Sequence, residues 1–137
     1  MWFVTKKIST LLLVDDDQDD RFLFKEALAE ADNSVIFNEA ANGADALEKL
    51  VSGKVLLPDL IFLDVNMPRM NGLDCLKHLK ENVRFKDVSV VMYSTSASDD
   101  YQKECFNHGA KLFIEKPSDF WQLCDKLKNV LKTAFQL

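Results

Sequence analysis

Six residues of this 137-residue chain have side chains and positions suited to chemistry: Asp15, Asp16, Asp64, Ser94, Thr95 and Lys116. Each follows or ends a run of apolar residues. Carboxylates gathered in one place repel and raise one another's pKa unless a cation neutralises them. Oxygen-only ligands point to a hard divalent ion, Mg²⁺ or Mn²⁺. A lysine fixed beside such acids is either a plain salt bridge or one wall of a phosphate cradle. Ser94, a hydroxyl at another strand end, favours the cradle, because an ammonium, a hydroxyl and a metal together bind phosphoryl oxygens. The nucleophile would then be a carboxylate that forms an acyl phosphate. Asp64 is the best candidate, alone at the tip of its strand and facing the other acids.

These residues need elements to position them. Ile8 to Val14, Leu60 to Leu63 and Val88 to Tyr93 are apolar runs of strand length, Leu112 to Ile114 is a shorter one, and Val35 to Phe37 is a weaker fifth. Runs without polar alternation suggest strands buried on both faces. Helical spacing lies between them: Phe24, Leu28 and Ala31 within 20–31; Ala44, Leu47 and Leu50; Leu73, Leu76 and Leu79; Cys105 and Phe106. The last helix carries Phe120, Leu123, Cys124, Leu127, Leu131 and Ala134. Ser118 and Asp119 offer its N-cap, and Gly53 and Gly109 sit where helices should stop. Five strand–helix repeats predict an α/β fold, a parallel sheet with helices on both faces. Ligands of such sheets bind at the carboxyl ends of the strands, where the reactive residues fall.

The charge pattern is consistent with this. The chain has 22 acids against 17 bases, and five of the acids lie in the window 15–20. Without that window the chain is balanced, which argues against a nucleic-acid binder with a basic stripe. An apolar share of 47% argues against a disordered acidic chain. Asp17, Asp19 and Asp20 read as a loop and an acidic helix start that complements the helix dipole. With a divalent ion bound, Asp15, Asp16, Asp64, Lys116 and the ion sum to zero charge. No apolar run approaches the roughly 20 residues of a membrane span. Residues 1–7 do not read as a secretory leader. Cys75, Cys105 and Cys124 are odd in number and widely spaced, so they read as half-buried thiols in a reducing cytoplasm rather than a disulfide framework or zinc site.

In their order along the chain, these residues resemble the receiver domain of two-component response regulators. The resemblance covers about residues 9–135. It rests on Leu-Leu-Leu-Val-Asp-Asp-Asp at 11–17, Asp-Val-Asn-Met-Pro-Arg-Met-Asn-Gly at 64–72, Ser94-Thr95, Gly109-Ala110, and Phe113 through Lys116-Pro117. It implies a five-stranded, doubly wound, flavodoxin-like sheet of order 2-1-3-4-5 with five helices, in a single receiver domain over 1–137 without an output domain. It implies that Asp64 is the phosphoacceptor and that Mg²⁺ is bound by Asp64, by Asp16 directly, by Asp15 directly or through water, and by the Asn66 backbone carbonyl. Lys116 would pair with the phosphoryl group, Ser94 would turn inward as the switch, and Phe113 would follow as the switch aromatic. Thr95, bulkier than the Ala or Gly common there, is expected to crowd the phosphoryl site.

The implied donor is a histidine kinase or a histidine phosphotransfer protein. The implied output is a protein contact through the fourth helix, fifth strand and fifth helix, which also offer a homodimer surface; neither nucleic acid nor membrane is an expected partner. Three rivals fit less well. An aspartyl phosphatase of the haloacid dehalogenase type would use Asp15-x-Asp17, but its motif wants Thr or Val where Asp19 stands, and the chain leaves no room for a cap domain. A flavin binder would meet five repelling aspartates and lacks a Ser/Thr/Gly-rich phosphate loop. A pseudo-receiver would not need Asp64, Lys116 and the acid pair intact.

Overall fold

The computed structural model describes residues 7–132. Ala134, the end of the resemblance at 135 and all but Lys7 of the 1–7 stretch that does not read as a leader lie outside them. Five strands alternate with five helices: β1 (Thr10–Val14), α1 (Gln18–Ala31), β2 (Ile36–Ala40), α2 (Gly43–Ser52), β3 (Leu60–Asp64), α3 (Gly72–Glu81), β4 (Ser89–Ser94), α4 (Asp99–Asn107), β5 (Leu112–Glu115) and α5 (Phe120–Lys132). The strands form one sheet in the order β2-β1-β3-β4-β5, and every pair is parallel. This is the expected topology.

The apolar runs are buried because the sheet is covered on both sides. Alternate residues serve opposite faces, as the two-residue period of a strand requires. Leu12, Val14, Ile61, Leu63, Val90 and Met92 pack with residues of α2, α3 and α4. Leu11, Leu13, Leu60, Phe62, Val91 and Tyr93 pack with α1 and α5. On the second face Phe24, Phe62 and Tyr93 form a cluster of edge-on rings, with centroids 5.0–5.7 Å apart. Edge-to-face rings contribute about 0.5–1.5 kcal/mol per pair beyond area burial.

The ends of the elements carry clear local causes. Asp17 caps α1, its carboxylate accepting from the N–H groups of Asp19 and Asp20, so the helix starts at Gln18 rather than at Asp20. Asn42, Asn71 and Ser98 cap α2, α3 and α4 in the same way. Asp119, not Ser118, caps α5, accepting from the Gln122 N–H at 2.9 Å. Gly53 ends α2 in the left-handed region, with φ of 79°. All three cysteines are buried, not half-buried. Trp121 stands off the apolar face of α5 and is exposed. No helix among the described residues is long and apolar enough to cross a membrane.

Candidate functional site at the carboxyl edge of the sheet

The sheet order puts the carboxyl ends of β1, β3, β4 and β5 in a row. Asp15 follows β1, Asp64 ends β3, Ser94 ends β4 and Lys116 follows β5. Asp15 is fully buried, held at the strand end by its own N–H, which donates to the Ala40 carbonyl at 3.1 Å. Asp64 and Ser94 are buried too. The Lys116 N–H donates to the Ser94 carbonyl at 2.7 Å, so pairing with β4 fixes the start of the lysine side chain. The side chain then reaches back across the Tyr93 ring, with Nζ 5.3 Å from the centroid.

Asp15, Asp16 and Asp64 each offer one carboxylate oxygen within 4.8 Å of the others. Three convergent hard oxygens, two on buried residues and one on an exposed residue, fit a small divalent cation that keeps some of its water. Asn66 lies two residues beyond Asp64 and is exposed, on the loop that closes the same end. That loop approaches the strand closely at Gly72, where a Cβ would stand 2.3 Å from the Asp64 carbonyl oxygen. Only glycine fits there. Its N–H donates to the Val65 carbonyl at 2.8 Å and pins the loop.

Electrostatics follow from this crowding. Burial pushes the Asp64 carboxyl up to about 7; Lys116 opposes the rise, and Asp15 and Asp16 add to it. Burial alone would lower the Lys116 ammonium, but its hydrogen bond and charge pairing with Asp15, then Asp20 and Asp64, raise it above the ordinary lysine value. Its donors are unequally shared. Nζ lies 2.8 Å from Asp15, 3.0 Å from Asp20 and 3.7 Å from Asp64. The first two are hydrogen bonds and the third is a looser ion pair.

Each residue singled out in the sequence lies at this edge or borders it. The Ser94 hydroxyl donates to the Ser96 carbonyl at 2.9 Å. Thr95, next in the chain, is exposed. Phe113 is half-buried against the core on the α4 side and lines a groove with Ser94, Ser96, Gln102 and Lys126.

Two contributors are new. Asp20 turns from the first turn of α1 onto Lys116 instead of acting only as a helix start. Its spacing of one helical turn after Asp16 is the sole sequence signal. Arg21 donates from Nη1 to the Asp15 carbonyl at 2.7 Å and from Nε to Glu39 at 3.0 Å, tying β1 to β2 beside the acids. An arginine in an acid-rich stretch was a signal for this, but its two targets lie far apart in the chain, one just past β1 and one in β2.

The model of the response regulator receiver domain family matches residues 11–128. The chain belongs to that family. It is 34% identical to chemotaxis protein CheY1 of Helicobacter pylori, over 90% of this chain and 97% of that one. It is 35% identical to the protein-glutamate methylesterase/protein-glutamine glutaminase of Clostridium acetobutylicum over 89% of this chain, and spans 34% of that enzyme's length. It spans 38% of the methylesterase/glutaminase 1 of Methanospirillum hungatei and 9% of histidine kinase P4 of Formosa agariphila. The phosphorylated cyanobacterial phytochrome response regulator RcpA superposes with a TM-score of 0.84 at 28% identity, over 94% of this chain and 98% of that one. This receiver domain is thus a CheY-like signalling module of two-component systems. Its acidic cluster is of the kind at which receiver domains bind Mg²⁺ or Mn²⁺. Receiver domains take their signal from histidine kinases and pass it to downstream targets.

Proposed function

We propose that Asp64 accepts a phosphoryl group from a phosphohistidine on a histidine kinase or a histidine phosphotransfer protein. The observation that carries this reading is a buried carboxylate at the tip of β3 that converges with the Asp15–Asp16 pair and lies 3.7 Å from the Lys116 ammonium. Asp64 Oδ forms a bond to phosphorus as the P–N bond to the protonated imidazole breaks, and neutral histidine leaves. Asp15, Asp16, Asp64 and the Asn66 carbonyl would hold Mg²⁺ or Mn²⁺, which supplies positive charge to the carboxylates and phosphoryl oxygens. Lys116 contributes the second cation and donates to an equatorial oxygen of a loose transition state.

The product adds about −1.5 to −2 charge and three acceptor oxygens. These compete for the Ser94 hydroxyl, which now donates to the Ser96 carbonyl. Ser94 turns inward, Phe113 follows into the space it leaves, and an existing inactive–active equilibrium shifts. Thr95 narrows the approach to the phosphoryl group. The changed surface of α4, β5 and α5 meets a downstream protein or a second copy of the chain. Hydrolysis of the acyl phosphate resets the switch, and this chemistry on its own aspartate is the extent of its catalysis. The receiver unit, about residues 9–135, acts in the cytoplasm without nucleic acid or membrane.

Incubation with Mg²⁺ and acetyl phosphate, followed by intact-mass measurement, tests this. The wild type gains one phosphoryl group labile to hydroxylamine, and Asp64→Asn gains none. A variant labelled as fully as the wild type, at Asp15 or Asp17, would sink the assignment.

A further inference from the structure

Lys116 has three donor hydrogens and three carboxylates around it. Asp15 and Asp20 take hydrogen bonds of 2.8 and 3.0 Å, while the nearest oxygen of Asp64 is 3.7 Å away. Asp20 is not one of the carboxylates that converge as a cation site. A bound cation therefore draws on Asp15 and leaves the Asp20 contact in place. We propose that Asp20 is a positioning residue, which holds the Lys116 ammonium on the α1 side of the site and away from Asp64, and so slows phosphoryl uptake. The part concerning rate rests on the phosphoacceptor reading above.

The physical argument is one of differential stabilisation. Only contacts that are stronger in the transition state than before it lower the barrier. The Lys116 contact that must tighten is the one to the phosphoryl group as it arrives over Asp64. The Asp20 hydrogen bond is fullest before arrival and must lengthen or break for Nζ to move, so it stabilises the resting state. Asp20 is 39% exposed, which screens the pair and limits its hold. The expected effect is accordingly a graded brake, with Lys116 still able to leave.

The neighbouring Asp19 provides the control. It lies in the same first turn of α1, is exposed, and is absent from the ion pairs of Lys116. Asp19→Ala and Asp20→Ala remove the same charge and the same favourable helix-dipole contact. With acetyl phosphate, one Oδ–P bond forms at Asp64 while the donor P–O bond breaks and acetate leaves as the anion. Lys116 keeps its protons throughout. At saturating Mg²⁺ the Asp20→Ala variant of the 137-residue chain should take up phosphoryl groups roughly 2–5 times faster than the wild type, the size expected for releasing one half-screened ion pair. Asp19→Ala should stay within about 1.5-fold of the wild type, and Asp20→Glu should restore the slow rate.

A crystal structure of Asp20→Ala reads the positioning directly. Lys116 Nζ should close from 3.7 Å to hydrogen-bond distance of Asp64, below about 3.2 Å. Equal acceleration by Asp19→Ala would show a general charge effect and overturn the proposal, as would an Asp20→Ala rate no faster than wild type. If neither the wild type nor any variant is labelled, the phosphoacceptor reading fails instead. The position of Nζ in the variant crystal still decides the role of Asp20, and an unmoved ammonium would refute it.

Discussion

Removing the proposed phosphoacceptor should make the metal-free protein more stable. Asp64 is 6% exposed, and burial with the neighbouring acids raises its carboxyl from 3.8 to about 7 despite Lys116. A group whose folded-state pKa is raised binds its proton more tightly in the folded state. Its contribution is therefore most favourable below about pH 4 and is lost as pH rises through about 7. The shift is about 3 units, and at about 1.36 kcal/mol per unit the ceiling is near 4 kcal/mol. Asp64→Asn mimics the neutral carboxyl and keeps its shape. We expect it to exceed the wild type by about 2–4 kcal/mol at pH 8 in a chelator, and by less than about 1 kcal/mol near pH 4. Urea unfolding reads this as a midpoint gap of roughly 1–2 M at pH 8 that closes on acidification. Millimolar Mg²⁺ should narrow the gap, because it stabilises the wild type by binding only the folded state. Equal stability at pH 8 without metal, or a gap that does not change with pH, would refute the account of carboxylate crowding.

Two further substitutions probe the supports of the site. Gly72→Ala places a methyl 2.3 Å from the Asp64 carbonyl; it should cost about 1–3 kcal/mol in urea unfolding and slow acetyl phosphate labelling by displacing the 65–71 loop. Lys116→Met strips the ammonium from the fully buried Asp15, and should cost about 3–5 kcal/mol and abolish labelling. Adding Asp15→Asn to that variant should recover much of the lost stability, a coupling that a double-mutant cycle measures.

What the sequence made legible follows from where side chains are covered. β1, β3 and β4 are the interior strands, buried on two faces, and their unbroken apolar runs declare them. β2 is an edge strand. Its pairing with β1 continues through Asn38, Glu39 and Ala40, where backbone hydrogen bonds hold a segment whose side chains carry no strand pattern. The expected Val35 to Phe37 is therefore short at its far end. α4 shows the same effect in a helix. Cys105 is its only fully buried residue, so Cys105 and Phe106 mark the helix in the sequence without fixing where it starts. Its start is set by Ser98, whose hydroxyl accepts from the Tyr101 N–H at 3.1 Å. Tyr101 also packs half-buried against the core, but one aromatic among polar neighbours gives no helical period.

The site divides along a similar line. Asp15, Asp64 and Ser94 were legible because a polar residue that ends a buried strand has its position fixed by the strand. Asp20 was not, because its role depends on how far a lysine from the opposite end of the chain reaches across Tyr93. That missed contact changes the charge reckoning. Asp15, Asp16, Asp64 and Lys116 come to zero with a divalent ion, but Asp20 shares the same ammonium and leaves the set one charge negative. Lys116 is then not a free cation awaiting a phosphoryl group. It is already divided between two acids at hydrogen-bond distance, and Asp64 competes from 3.7 Å. On the proposed reading, an arriving phosphoryl group must outbid Asp20 for the ammonium, so an acid that looked like ordinary helix-start chemistry would bear on how readily the switch is set.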